Sequence, residues 1–171
     1  MKEIFSACFL LLALVLQSTI LANLRVGGAK LDLILIAVSM SGLWQGYARG
    51  MGRGFCYGLF EDLLAARYVF SHALSKAVAG LIGGWARERF YPDFWLVCLA
   101  VIFIGTIVHE ISFLLLVEIA SGGNDFFGEG WFLVVLASAI YNGVAGLVLH
   151  PLFRWLYGEG QHASLKKASW F

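Results

Sequence analysis

The chain has 171 residues, of which 60% are hydrophobic and only 13% are charged, and its net charge is +1. Soluble domains carry roughly 25% charged residues, so this composition excludes a soluble globular domain, a disordered chain and a fibrous repeat. The near-neutral balance provides no strong field that would attract nucleic acid, and we expect no nucleic-acid partner.

Six stretches of the chain are candidate transmembrane helices, because a helix needs about 20 mostly apolar residues to cross a bilayer. In chain order they cover residues 4–24, 31–48, 51–66, 68–86, 94–117 and 131–153. The third stretch is the least apolar, since it contains Arg53, Glu61 and Asp62. The connecting loops are too short for a further domain. We therefore predict an all-α fold: one integral membrane domain over residues 1–171, built as a six-helix transmembrane bundle.

The basic residues decide whether the third stretch crosses the membrane. With six crossings and a cytoplasmic N-terminus, eight basic residues face the cytoplasm: Lys2, Arg49, Arg53, Arg87, Arg89, Arg154, Lys166 and Lys167. Three then face outward, namely Arg25, Lys30 and Arg67. Without the third crossing the balance changes to four inside and seven outside. The positive-inside rule therefore favours six spans with both termini in the cytoplasm.

Glycine recurs every four residues through the second and third spans. The members of this run are Gly42, Gly46, Gly50, Gly54 and Gly58. Residues four apart share a helix face, so these glycines form a flat surface that another backbone can approach closely. The run also includes the predicted loop around Arg49, which indicates two glycine-faced helices joined by a tight turn. The surface serves either packing within the bundle or docking of another membrane protein.

Polar residues also recur at helical spacing in the fourth and sixth spans, as His72 and Lys76 and as Ser138 and Asn142. Charged groups inside a membrane are costly and usually face the bundle interior, so we expect a buried polar network there. The network provides hydrogen bonds between helices or lines a substrate cavity. Lys76 needs acidic partners, and the candidates are Asp62, Glu110 and Glu118.

His109 and Glu110 invite comparison with intramembrane zinc proteases, which need His-Glu-x-x-His on one helix. Phe113 stands at the position of the second histidine, so the motif is incomplete. The three cysteines have no Cys-x-x-Cys spacing, and no other catalytic motif occurs. We therefore predict no enzymatic activity, no metal and no cofactor, and we place His109 and Glu110 inside the bundle.

Several short motifs follow one another in the middle of the chain. Asp32 opens a very apolar span, the glycine run follows, and then come Gly58-Leu59-Phe60-Glu61-Asp62-Leu63-Leu64, His72-Ala73-Leu74 and Gly83-Gly84-Trp85. In this order they resemble the rod shape-determining protein MreD family, with Asp32 and Asp62 as the motif acids. The family commonly has Pro before the first acid and Gly after the second motif, where this chain has Leu31, Ala66 and Phe70.

The resemblance implies a non-enzymatic scaffold subunit of the elongasome, the bacterial complex for peptidoglycan synthesis and regulation of cell shape. Its expected location is the bacterial inner membrane. Its expected partners are an MreC-like bitopic membrane protein and, indirectly, MreB-like filaments, a RodA-like glycosyltransferase and a class B penicillin-binding protein. In fold, the family resembles the S subunits of energy-coupling-factor transporters, which agrees with a compact six-helix bundle.

Two other functions remain open from the sequence. The first is a substrate-binding S-type subunit of a vitamin uptake transporter, with its pocket between the polar residues of the fourth and sixth spans. The Ala-x-x-x-Ala docking motif common in those subunits is missing from the first span, where Leu11 stands four residues after Ala7. The second is a small ion-coupled transporter that uses Lys76, Glu110 and Asp62.

Overall fold

A computed structural model describes residues 2–19, 25–26, 28–66, 70–122 and 130–157. These residues form six α-helices and one short antiparallel hairpin. The helices are α1 (Lys2–Thr19), α2 (Leu33–Gln45), α3 (Tyr47–Ala65), α4 (Ser71–Arg87), α5 (Trp95–Ser121) and α6 (Trp131–Tyr157). The hairpin joins β1 (Arg25–Val26) to β2 (Ala29–Lys30) between α1 and α2. The predicted all-α class is confirmed.

Two of these helices, α5 and α6, are long and apolar enough to cross a membrane. Each has 27 residues, or about 40 Å of helix, against a hydrocarbon core of about 30 Å. Both lie on the fifth and sixth predicted spans and extend four residues beyond their predicted ends. Helix α2 has only 13 residues, which corresponds to about 20 Å.

Some sequence predictions fall outside the described part of the chain. The last five residues of the first predicted span, residues 20–24, belong to this group. So do Arg67 on the predicted outer side and Lys166 and Lys167 on the predicted cytoplasmic side.

The break in the glycine run lies at Gly46, so the predicted loop around Arg49 is wrong. Gly46 has a φ of 96° and its N–H donates to the carbonyl oxygen of Gly42 at 2.8 Å. Only glycine adopts such a positive φ without a steric penalty, so the chain turns at this single residue. Helix α3 begins immediately afterwards and includes Arg49 in its first turn.

Helix α2 lies at the centre of the bundle. Eleven of its 13 residues are buried, and it contacts all five other helices. A helix that is apolar on every side is stable only when other elements surround it. The long helices α5 and α6 cover one side of α2, and α3 and α4 cover another.

The glycine face of α3 packs directly on α4. A Cβ atom at Gly54 would overlap the carbonyl oxygen of Lys76, and one at Gly58 would overlap the carbonyl oxygen of His72. At Gly50 the added atom would come within 2.6 Å of a backbone oxygen of α4. The two backbones can lie this close only because no side chain separates them.

Gly42 of α2 meets the same surface of α4, where Gly80 and Gly84 face it. The glycine run is therefore filled from within the chain by α4. Of the two uses predicted for this run, packing within the bundle is the one that these contacts show. Gly46 is half-buried, while Gly42, Gly50, Gly54 and Gly58 are buried.

The bundle has an apolar exterior, and its interior holds ionisable groups beside an apolar core. Leu12 of α1 is 58% exposed, Ile119 of α5 is 79% exposed and Val148 of α6 is 74% exposed. By contrast, Asp62 and Lys76 are completely buried. Soluble proteins have the opposite arrangement, whereas chains surrounded by lipid place their ionisable groups inside.

The connection from α3 to α4 contains two non-glycine residues in the left-handed region, Ala66 with φ 48° and Phe70 with φ 74°. These are the two positions at which the sequence departs from the glycine that is common in the family it resembles. A side chain in this region costs roughly 1–2 kcal/mol. The side chains of Ala66 and Phe70 therefore lower the free energy of unfolding by a measurable amount relative to glycine at these positions.

Ala66→Gly is expected to stabilise the fold by up to about 1 kcal/mol, because relief at positive φ outweighs the extra freedom of glycine in the unfolded chain. Equilibrium unfolding of the purified protein in detergent measures this change. Ala65→Gly is the matched control, since Ala65 is the last residue of α3 and is also exposed. There glycine is expected to destabilise by roughly 0.5–1 kcal/mol, and equal effects of the two variants would contradict the prediction.

Candidate functional site

All six helices bring polar side chains to the same end of the bundle, the end that the charge distribution places outward. At its centre is the ion cluster, which we define as Asp32, Glu61 and Lys76. Surrounding it are Gln17, Asp62, His72, Thr106, His109, Glu110, Ser138 and Asn142. The polar residues predicted for spans four, five and six therefore meet around one site.

Lys76 is held by two carboxylates. Its Nζ lies 2.7 Å from Asp32 Oδ2 and also contacts Glu61 Oε2. A fully buried ammonium is tolerated only when it is paired and hydrogen-bonded, and these two groups provide that pairing. The partners predicted from the sequence, Asp62, Glu110 and Glu118, are wrong.

Asp32 connects three helices. Its Oδ1 accepts the backbone N–H of Leu35 at 2.8 Å, so it caps the start of α2 and lies near the positive end of the helix dipole. Its own N–H donates to Asn142 Oδ1 of α6 at 2.9 Å, and its carboxylate binds Lys76 of α4. His109 Nε2 of α5 lies 3.8 Å from Asp32 Oδ2.

Glu61 links the ion cluster to α1 through Gln17. The Gln17 Nε2 group donates to Glu61 Oε1 at 2.6 Å, while Gln17 Oε1 accepts the N–H of Ile34 at 3.4 Å. One amide therefore connects α1 to both α2 and α3. Gln17 is 4% exposed, as expected of a polar group that replaces water by internal hydrogen bonds.

Asp62 has a different role from its neighbour Glu61. Its two carboxylate oxygens accept the backbone N–H groups of His72 at 3.0 Å and Ala73 at 3.1 Å. Its Oδ1 also lies 2.8 Å from Nδ1 of the His72 ring. The first turn of α4 has unpaired N–H groups and Phe70 cannot cap it, so Asp62 caps this helix from α3.

Asp62→Ala is expected to destabilise the fold by about 2 kcal/mol, because two buried backbone N–H groups and an imidazole lose their acceptor. Unfolding in detergent measures the loss. Asp62→Asn keeps one oxygen acceptor and should recover part of the stability. A wild-type unfolding curve for Asp62→Ala would contradict the capping role.

The remaining polar residues form the side of the site made by α5 and α6. Asn142 is fully buried and its Nδ2 donates to Thr106 Oγ1 at 3.4 Å, while Ser138 Oγ accepts the N–H of Lys30 at 3.4 Å. His109 is buried, and Glu110 is half-buried beside it. Among the described residues, no group of three or more His, Cys, Asp or Glu side chains is placed to hold a metal ion.

A cleft of about 240 Å³ reaches the ion cluster from the surface. It is lined by Leu14, Gln17, Ser18, Lys30, Glu61, Leu64, Ala65 and His72. Glu61 is shared by the cleft and the ion cluster, so it is the acid of the cluster that a small molecule in the cleft would meet.

The sequence contains a signal for the position of Asp62 that the predictions did not use. Asp62 follows Gly58 by four residues and so continues the glycine face of α3. That spacing places it opposite the first turn of α4. Glu61 precedes it by one residue and points about 100° away, towards Lys76 and Gln17. No comparable local signal pairs Asp32 with Lys76, which is 44 residues away.

The fold and the site define a class of protein: an all-α chain with two helices able to span a membrane and with three charged side chains, Asp32, Glu61 and Lys76, paired inside the bundle. Comparisons with protein-family models, with curated proteins and with solved structures give no match.

Proposed function

We propose that the chain is a six-span protein of the bacterial inner membrane, with both termini in the cytoplasm. The observation that supports a membrane location most directly is the inverted surface, with apolar side chains outside and the ion cluster inside. Helices α3 and α4 are the least apolar, yet Asp62 and Lys76 are buried, and Arg53 and Glu61 are half-buried. Each of these helices can therefore face lipid with an apolar surface.

A reporter fused after Phe171 tests the topology and should be active on the cytoplasmic side. A second reporter inserted between residues 122 and 130 should be active outside. A C-terminal reporter that is active outside the cytoplasm would contradict this topology, because six crossings from a cytoplasmic N-terminus return the chain to the cytoplasm.

Within that membrane we propose a scaffold role of the MreD type, in which the chain binds an MreC-like bitopic protein and supports rod shape. The network of polar contacts supports this role, because most of the buried polar residues hold the helices of this chain to one another. The two motif acids, Asp32 and Asp62, each cap a helix. What remains for a partner is the apolar exterior of the bundle, which suits another transmembrane helix.

The native cysteines can locate the partner. Cys8 on α1 and Cys56 on α3 are exposed, whereas Cys98 on α5 is buried and serves as the internal control. Single cysteines placed along the transmembrane helix of an MreC-like partner should form disulfides with one of the exposed pair under oxidation. Loss of the cross-link in Cys56→Ser but not in Cys8→Ser would place the partner on α3, and the reverse result would place it on α1.

Depletion of the protein in its host should produce rounded cells, and the tagged chain should co-purify with the bitopic partner. Normal rods after clean deletion, together with no co-purification, would contradict the scaffold role.

The cleft beside Glu61 favours a second candidate, an S-type subunit for vitamin uptake. Its mixture of polar and apolar walls is typical of a site for a small organic molecule. Saturable binding of a vitamin by the purified chain, lost in Glu61→Gln, would support this function over the scaffold role.

A further inference from the structure

The opposite end of the bundle carries a groove that the scaffold role does not use. Two cavities of about 460 and 400 Å³ adjoin there and share Tyr47 and Glu88 in their walls. The first continues along α4 past Leu81 and Trp85, and the second reaches Arg87. We call this feature the α4 groove.

The two halves of the α4 groove differ in chemistry. The first half is bordered by apolar side chains that remain exposed, with Trp85 53% exposed and Leu81 44% exposed. In the second half the backbone of the α2–α3 turn forms part of the wall, and Arg87 lies against it. A Cβ atom at Gly46 would come within 3.1 Å of Arg87 Nη1, so the guanidinium is placed over this turn.

Arginine side chains lie beside both halves of the groove. The guanidinium of Arg89 lies 4.3 Å from the centre of the Trp85 ring, and exposed Arg49 stands two residues after Tyr47. The acid at this rim is Glu88, which is exposed and lines both cavities. Three arginines against one glutamate leave two positive charges in excess.

We propose that the α4 groove binds one anionic phospholipid of the cytoplasmic leaflet, with its phosphate at Arg87 and an acyl chain along Leu81 and Trp85. The planar guanidinium matches phosphate oxygens in a bidentate arrangement, and the cytoplasmic leaflet is rich in anionic lipids. Trp85 and Tyr47 are residue types that lie at the headgroup level of a membrane. The proposal rests on the proposed membrane topology, which places this end of the bundle in the cytoplasmic leaflet.

A lipid fits this groove better than an acidic segment of a partner protein. The apolar half runs along α4 past Leu81 and Trp85, and Arg87 lies in the other half. An acidic peptide would occupy only the half of the groove at Arg87, whereas a phospholipid covers both halves with one molecule.

Native mass spectrometry of the full chain in detergent, titrated with phosphatidylglycerol or with phosphatidylcholine of the same acyl chains, tests the proposal. The wild type should bind one phosphatidylglycerol with a roughly tenfold preference, because both lipids carry a phosphate but only phosphatidylcholine brings a cationic choline group to the excess arginine charge. Arg87→Gln should abolish that preference, and Trp85→Ala should weaken binding of both lipids.

Arg154→Gln is the matched control, because Arg154 lies at the same end of the bundle and pairs with Asp93 at 3.2 Å. This variant should keep the preference. If Arg87→Gln fails to fold, Arg89→Gln should still reduce the preference by a smaller factor. Equal binding of the two lipids by the wild type would overturn the proposal, as would an unchanged preference in both arginine variants.

The two proposals fail in distinguishable ways. Cross-linking through Cys8 or Cys56 tests the scaffold role and needs no lipid in the groove. Lipid titration needs no protein partner. Equal binding of the two lipids by the wild type, together with intact cross-linking, would overturn the lipid site and leave the scaffold role in place.

Discussion

Asp32→Ala is expected to destabilise the fold by about 3 kcal/mol, because the buried ammonium of Lys76 loses one of its two charged hydrogen-bond partners. The same change removes the cap from α2 at Leu35. Unfolding of the purified chain in mixed micelles with increasing sodium dodecyl sulfate measures the loss. The effect should be among the largest of any single substitution, since three helices share the carboxylate.

Asp93→Ala is the matched control for this variant. Asp93 also pairs with a cation, Arg154, but both side chains are more than half exposed. An exposed pair contributes about 0–1 kcal/mol, so this variant should unfold close to the wild type. Similar losses in Asp32→Ala and Asp93→Ala would contradict the role of the ion cluster.

Gly54→Ala is expected to destabilise the fold by about 3 kcal/mol or more, because the added methyl overlaps the backbone of α4 at Lys76 and neither helix can yield locally. Separation of α3 from α4 should also disturb the ion cluster, since Lys76 and Glu61 belong to these two helices. Unfolding in the same micelles measures the loss. Thiol accessibility at buried Cys98 should remain low if the disturbance is confined to this interface.

Gly52→Ala is the control on the same helix. Nothing lies within 4 Å of an added Cβ at Gly52. Alanine is favoured over glycine within a helix by roughly 0.8–1.0 kcal/mol, so this variant should be as stable as the wild type or more stable. Equal losses at Gly52 and Gly54 would contradict the packing of α3 on α4.

The sequence predicts helix positions and inward-facing polar residues better than it predicts which residues pair. The four-residue spacing of the glycines predicts a close helix contact, but it does not say which helix supplies the opposite surface. It also does not identify Gly46 as the residue that takes positive φ, because all five glycines are equally able to do so. That choice depends on how α2 and α3 pack against α4.

The partner of Lys76 illustrates the same limit. Burial alone requires that a lysine in an apolar bundle has acidic partners, and the sequence predicts that much. The choice among the acids depends on the relative rotation of α2, α3 and α4, which is set by contacts distributed over all three helices. Asp32 is selected because it stands at the first turn of the central helix, next to the first turns of α4.

Under the proposed six-span topology, the ion cluster has a consequence for how the chain enters a bilayer. Lys76 is inserted with α4, but its two counter-charges belong to α2 and α3, which leave the ribosome earlier. The ammonium can therefore be neutralised as soon as α4 reaches the membrane, provided that the preceding helices have not moved apart. The first four helices are thus expected to integrate as one unit, and α4 without α2 would remain outside the lipid core.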